Sequence, residues 1–336
     1  MRSTDYTLNA TDPIAQRIWD QVAQSPLRNL WDFQGASPRL VWRRTFHAMI
    51  GDNLLSRAAE MGYYFLFALF PMLVSASSIL GLVARRASNI YLSLLHYLAL
   101  VVPASAFKMV IDTFNQTTAA ATAGKITLGL VAAIWSASVG FAAIQDGMNT
   151  VYKVRESRPY WKARGAAILV TLLLSVLVTL NLGVLLGGDL LAKLVRIEIW
   201  HPWLAITADA SVHIVQWTLA SSLLLLQFNV IYYFAPDLKV KCWHWMTPGA
   251  VIGVLGWVAS SIGLRVYLHF FHSFTIAYGS LGGVIVLLTW FYITGLMLLL
   301  GAEINSEIQA AVMEKKLKEA GEIPPEVVAE PGLAPA

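Results

Sequence analysis

The sequence predicts an all-α membrane protein: a bundle of six transmembrane helices, an interfacial helix on the outer side between helices one and two, and both chain ends in the cytoplasm. Three observations lead there. Of the 336 residues, 57% are hydrophobic and only 13% charged, where soluble domains carry about 25%. Long uncharged stretches reach the roughly 20 residues that a helix needs to cross the hydrocarbon core. Lys and Arg gather on one side of those stretches, so their placement says more than the net charge of +4. A soluble chain of this size has too few charges to cover its surface.

Residues 1–57 read as two helices rather than a soluble domain. Thr11-Asp12-Pro13 is a helix start with Pro in the first turn, followed by Ile14, Ile18 and Val22 at helical spacing. Ser37-Pro38 offers a second start. Arg39, Arg43 and Arg44 stand among Leu40, Val41, Trp42 and Phe46, which suits either a helix lying on an anionic inner leaflet or a solvated basic arm that fixes topology. No short apolar core precedes a small-residue cleavage site, so the first hydrophobic helix is expected to act as an uncleaved anchor.

The membrane domain spans 58–305. Its first helix is expected at 61–84. The stretch 87–107 has an apolar core of only 90–102, with Asn89, Ser93, His96 and Pro103 around it, which fits an interfacial or re-entrant helix. Helices two to four are expected at 126–145, 165–188 and 210–236. The fifth begins at 242 and ends near Phe271. The mixed run from His269 to Gly279 is a turn, and the sixth helix covers 278–301. This arrangement leaves seventeen of the 24 Lys and Arg in the segments 1–57, 146–164, 237–241 and beyond 301. The positive-inside rule then places both ends inside. A seventh span at 90–102 would put the basic loop from Lys153 to Arg164 outside. After Glu303 a polar helix is expected to run to about Ala320. The Pro-, Glu- and Ala-rich end 323–336 reads as disordered. One cysteine, Cys242, excludes an intrachain disulfide.

Several motifs resemble those of the YihY/BrkB membrane proteins. They are Ala58-Ala59-Glu60-Met61-Gly62-Tyr63-Tyr64 with Leu69-Phe70-Pro71, and Ile134-Trp135-Ser136-Ala137-Ser138 leading to Asp146-Gly147-Met148-Asn149 and Val151-Tyr152. Glu156-Ser157-Arg158-Pro159-Tyr160-Trp161-Lys162-Ala163-Arg164, Tyr278-Gly279-Ser280-Leu281-Gly282-Gly283 through Trp290, and Leu300-Gly301-Ala302-Glu303-Ile304-Asn305 continue the likeness. The similarity covers about 40–310, and Glu60 replaces the family's usual small residue. It implies six helices in a bacterial inner membrane and no catalytic residues to carry over. The family has also carried the label ribonuclease BN, and lipid movement has been suggested for relatives.

The residues themselves point to a polar path. Intramembrane ionisable groups are costly and often functional. Glu60 opens helix one, where it also favours the helix dipole or meets Arg57. Pro71 interrupts helix one and frees a backbone carbonyl. Asn181 and Asn229 lie within helices three and four, and Arg265 within helix five, where it either snorkels or meets an anion. Asp146, Asn149, Glu156, Arg158, Lys162 and Arg164 form a dense charge network between helices two and three, read as a clamp or as a gate or headgroup site. Glu303 and Asn305 are expected to partner the loop 153–164. The small residues Ala132, Ser136 and Gly140, and Gly249 with Gly253, read as packing.

Three function classes follow. A transporter or translocase of an anionic or lipid-like substrate fits the polar groups. A membrane scaffold or envelope assembly factor needs no pathway. An enzyme is disfavoured, because the acids are dispersed and no Walker A or metal-ligand pattern appears. His269 and His272 lack further ligands, and nothing places His201 and His213 together, so no metal or other cofactor is expected. The expected partners are the bilayer and anionic inner-leaflet lipids, with a homo-oligomer or an envelope protein left open. Nucleic acid is not expected, since topology already explains the basic loop.

Overall fold

The computed structural model describes residues 13–27, 29–32, 37–83, 111–112, 123–198, 202–270 and 281–324, with backbone alone at 70–83, 123–129, 189–198, 202–206 and 281. The expected interfacial segment 87–107, residues 271–279 of the expected turn and the tail beyond 324 lie outside the described residues, while His269 and Phe270 end a helix. Eight helices are described: α1 Pro13–Gln24, α2 Pro38–Gly51, α3 Leu54–Val83, α4 Ala123–Val151, α5 Tyr160–Glu198, α6 Pro202–Phe234, α7 Pro248–Phe270 and α8 Leu281–Glu319. Each of α4 to α8 carries a stretch long and apolar enough to cross a membrane. Helix α3 has 30 residues.

The six long helices close a ring in chain order: each packs on the next from α3 to α8, and α8 packs back on α3. Its core is built from Met61, Phe141, Met148, Phe228, Tyr232 and Leu299. Many other apolar side chains, among them Leu169, Val176, Trp217 and Leu255, point outward. That inside-out pattern suits lipid rather than water. The turns at 52–53, 152–159 and 235–247 meet at one end of the ring, the polar end.

Several expected boundaries move; α3 and α6 start earlier than expected, at Leu54 and Pro202. Helix α7 starts at Pro248 rather than at 242. Pro occupies the first helical position, and the Thr247 hydroxyl accepts the Ala250 N–H at 3.1 Å. That is an N-cap, and it holds 242–246 out of the helix. Helix α5 has 39 residues and overruns the expected 165–188 at both ends. Ile323 is also ordered, buried against α1, so the expected disorder does not begin at 323.

Helix α8 is the unusual element. Its 39 residues make about 58 Å of helix, nearly twice the ~30 Å hydrocarbon core. It runs unbroken from the apolar stretch into the polar one, as expected. Its polar half, however, is not solvated: every residue from 301 to 314 is buried. Ile18, Trp19 and Val22 of α1 cover Ala310, Met313 and Leu317. Leu27, Leu30 and Val41 cover Ile304, Ile308, Ala311 and Val312. Arg44 turns inward to a buried ion pair with Glu314 at 2.7 Å, whereas Arg39, Trp42, Arg43, Phe46 and Ile50 form the outer face of α2.

Helices α7 and α8 touch at Gly249 and Gly301, where a Cβ on either would strike the other's backbone carbonyl. Gly253 and Gly140 are close-packed as expected, against Met297 and Phe65. Gly249→Ala is therefore expected to destabilise the bundle by about 1–3 kcal/mol, read as a lower melting temperature in detergent. Arg44→Ala leaves Glu314 with Lys318 alone. It is expected to cost about 3 kcal/mol and to expose the links around α1 and α2 to limited proteolysis.

Candidate functional site

The polar end is assembled from loops whose backbone geometry is local. After α4 the chain turns through Lys153, at a φ of 54°. This left-handed conformation is uncommon for a residue with a side chain and costs about 1–2 kcal/mol. The Lys153 ammonium pairs with Asp52, which precedes Asn53, itself left-handed. One ion pair thus joins two tight turns.

Beyond Lys153 the loop is clamped to the end of α6. Asn149 donates to Glu156 at 2.9 Å and accepts the Asp237 N–H at 2.8 Å. Ser157 donates to Asp237 through both its N–H and its hydroxyl. Arg158 forks onto both Glu156 oxygens at 2.6 Å and donates to the Ala235 carbonyl. The Arg158 fork holds the Glu156 carboxyl below its ordinary range, with Asn149 adding to the effect against partial burial.

Of the residues expected in one charge network, Asn149, Glu156 and Arg158 meet one another and the α6–α7 loop. Asp146 instead pairs with Arg57 of α3. Arg164 stacks on Trp135, 4.2 Å from its ring, and Lys162 is exposed. Neither Glu303 nor Asn305 bonds the loop 153–164 as expected. Asn305 accepts the Gly249 N–H at 2.9 Å and donates to Thr247 at 3.1 Å. The Thr247 hydroxyl donates to Asn229, whose amide also reaches the Trp245 carbonyl at 3.1 Å. This knot ties α6, α7 and α8 with every donor and acceptor of Thr247 used.

Glu303 is different. It is 0% exposed, and neither carboxylate oxygen meets a donor. Glu307, one turn on, is also buried and has one oxygen without a donor. The charges acting on the pair come from Lys153, Asp52, Arg44 and Glu314, all engaged in the ion pairs named above. Burial without a donor is the costly state for a carboxylate.

Beside the knot lies a cavity of about 40 Å³, lined among others by Tyr233, Lys241, Cys242, His244 and Gln309. Burial pushes the Lys241 ammonium below its ordinary range, and Arg158 adds to this; Asp237 and Glu156 oppose it.

Of the expected path residues, Asn229 alone borders this cavity. Asn181 donates to the Ala220 carbonyl at 3.4 Å between α5 and α6. Glu60 and Arg265 are exposed on α3 and α7, and Pro71 lies within continuous helix. Among the described residues, no group of three or more His, Cys, Asp and Glu is placed to hold a metal ion. Sequence reasoning missed Asp237, Ser157, Thr247, Lys241 and Glu307. The Glu303–Glu307 spacing of one turn was the available signal.

Arg158→Ala is expected to free the α4–α5 loop and raise its hydrogen exchange. Acid acts likewise. Because the Glu156 carboxyl is depressed in the folded state, its contribution is present above the ordinary Glu value of about 4.3. It is lost as pH falls through the lower folded value. Loop exchange measured against pH should rise there in the wild type and not in Glu156→Gln.

The family model described as virulence factor BrkB matches residues 45–324. The ribonuclease-like protein YfkH of Bacillus subtilis (strain 168) is 32% identical over 253 residues, covering 75% of this chain and 88% of that one. A UPF0761 membrane protein of Tolumonas auensis is 25% identical over 282 residues, covering 82% and 86%. One of Xanthomonas oryzae is 27% identical over 276 residues, 81% of this chain and 60% of its own. No solved structure matches. With a family model running from the middle of α2 to the end of the described chain, and a relative at this identity over three quarters of the sequence, this multi-pass membrane protein belongs to the virulence factor BrkB family.

Proposed function

We propose that the chain crosses a bacterial inner membrane six times, with α3 as the first span and both ends in the cytoplasm, and moves a small anionic or lipid-like substrate. The topology rests on the basic residues gathered at the polar end and on the length of α3. Transport rests on one observation above others: Glu303 is buried with no donor on either oxygen. A bundle that serves only as structure gains nothing from such a group. Buried ionisable residues in membrane bundles mark ion and proton pathways. In this reading Glu303 is the ionisable switch of the cycle, and the substrate passes without covalent chemistry. The basic polar end draws anionic lipids of the inner leaflet.

A second reading, a membrane scaffold or envelope assembly factor, has its own support. Glu60 and Arg265 stand on outer surfaces rather than in one cavity, and Trp42, Phe46 and Ile50 form an exposed face on α2. An envelope protein or a second copy of the chain would dock there. The ribonuclease-like name belongs to the Bacillus relative, and we read this chain as non-enzymatic.

The two readings separate in liposomes. Purified protein is expected to speed the transbilayer movement of a fluorescent anionic phospholipid, followed by dithionite quenching. Glu303→Gln should slow it by roughly tenfold or more, about 1.4 kcal/mol on the barrier, while eluting as wild type. Movement no faster than in protein-free liposomes would sink the transport reading for this substrate class and favour the scaffold.

A further inference from the structure

The cavity beside Lys241 has the chemistry of an anion site. We propose that it binds the phosphate of an anionic lipid headgroup, with Lys241 as its cation and Trp243 and Trp245 lying against the glycerol and upper acyl region. This deepens the transport reading and rests on it for the class of ligand.

Four observations carry the assignment. First, among the described residues the lining holds a cation and no carboxylate. The nearby acids Asp237 and Glu156 are turned away to Ser157 and Arg158. Second, the Lys241 ammonium has three donors, and its one hydrogen bond among the described residues is a long one, 3.4 Å to the Phe234 carbonyl. It lies 5.9 Å from the Tyr233 ring centre. Burial that disfavours its charge is relieved by an anion. Third, Gln309 borders the same cavity at 5% exposure, and its side-chain oxygen has no partner. That oxygen is an acceptor and calls for a hydroxyl donor, which a glycerol headgroup supplies, while the amide N–H₂ group is the donor suited to a phosphate oxygen. Fourth, the size fits. About 40 Å³ holds roughly three water-sized groups, the scale of a phosphate and far short of an acyl chain.

The surroundings choose a lipid as the source. Trp243 stands edge-on to Tyr233 at 5.3 Å and to Trp245 at 5.7 Å. The Trp31 indole donates to the Met246 carbonyl at 3.0 Å. Trp243, Trp245, Met246 and Trp31 are all exposed, Trp245 at 77%. Exposed tryptophans settle at the headgroup level of a bilayer, which sets the 241–247 segment, whose Lys241, Cys242 and His244 line the cavity, at the depth of lipid phosphates. The start of α7 adds its dipole; its Gly249 and Ala250 N–H groups are already bonded, so Lys241 and Gln309 supply the direct contacts.

Cys242, the chain's one cysteine, lines this cavity and reports its occupancy. The full chain would be placed in nanodiscs of phosphatidylcholine, or of an equal mixture with phosphatidylglycerol, and its rate of maleimide modification measured. The expected result is several-fold slower modification with phosphatidylglycerol. Lys241→Gln should abolish the difference between the two lipids. Lys239→Gln, at an exposed lysine two residues away, should preserve it. Equal rates in both lipids for the wild type would overturn the proposal, as would a difference that survives Lys241→Gln. Inorganic phosphate slowing the reaction in phosphatidylcholine discs as much as phosphatidylglycerol does would overturn the lipid assignment. Occupancy is read here without flux. Protection without lipid movement would therefore remove the transport reading alone, and movement without protection this site alone.

Discussion

Helix α8 outruns the bilayer, and the burial of its second half organises everything at the polar end. That half has two faces. Ile304, Ile308, Ala311 and Val312 need apolar cover, which Leu27, Leu30 and Val41 supply. Glu303, Asn305, Glu307 and Glu314 recur along the same buried segment and need polar company. Asn305 finds it in the Thr247 knot, and Glu314 in Arg44 and Lys318. Without α1, α2 and the 235–247 loop, this segment would be an ordinary solvated helix. With them it becomes a polar core beneath a ring of apolar helices.

Polar groups at this end fall into two sets. In one, donors and acceptors are matched: Asn149, Glu156, Arg158, Ser157 and Asp237 on one side, Asn229, Thr247 and Asn305 on the other. Such satisfied networks rigidify loops and fix how helices meet. In the other set, Glu303, Glu307, Gln309 and Lys241 keep unused bonding capacity although buried or half-buried. Burial of unmatched groups costs free energy, and the structure sustains it because the matched set surrounds them. The functional reading rests on that contrast.

Much of the architecture was legible in composition and charge. The apolar stretches 126–145 and 165–188 each fall in one long helix, as do 210–234 and 281–301 of the other two, since a span must be continuous and apolar to satisfy its backbone in lipid. Helix starts at Pro13 and Pro38 were legible too, because Pro favours the first turn for local reasons. The start of α7 was not. Apolarity of 242–246 argued for helix, but the Thr247 cap and the Asn229 contact to Trp245 hold that segment out of the helix. The clamp was half legible: its residues crowd one loop, yet Asp237 lies eighty positions away.

The sequence by itself determined that this chain lives in a bilayer as helices, and that its basic residues collect at one end. Both follow from transfer free energies and charge placement, which act residue by residue. Only the tertiary structure decided which polar groups meet. Arg44 and Glu314 are 270 positions apart, and Arg44 turns inward while Arg43 beside it faces out. Glu303 reads as one more polar residue past a membrane helix until the turns carrying Asp52 and Lys153 come up beside it. Burial and pairing are properties of the packed ring, since they depend on which helix ends are brought together, and no local pattern encodes that.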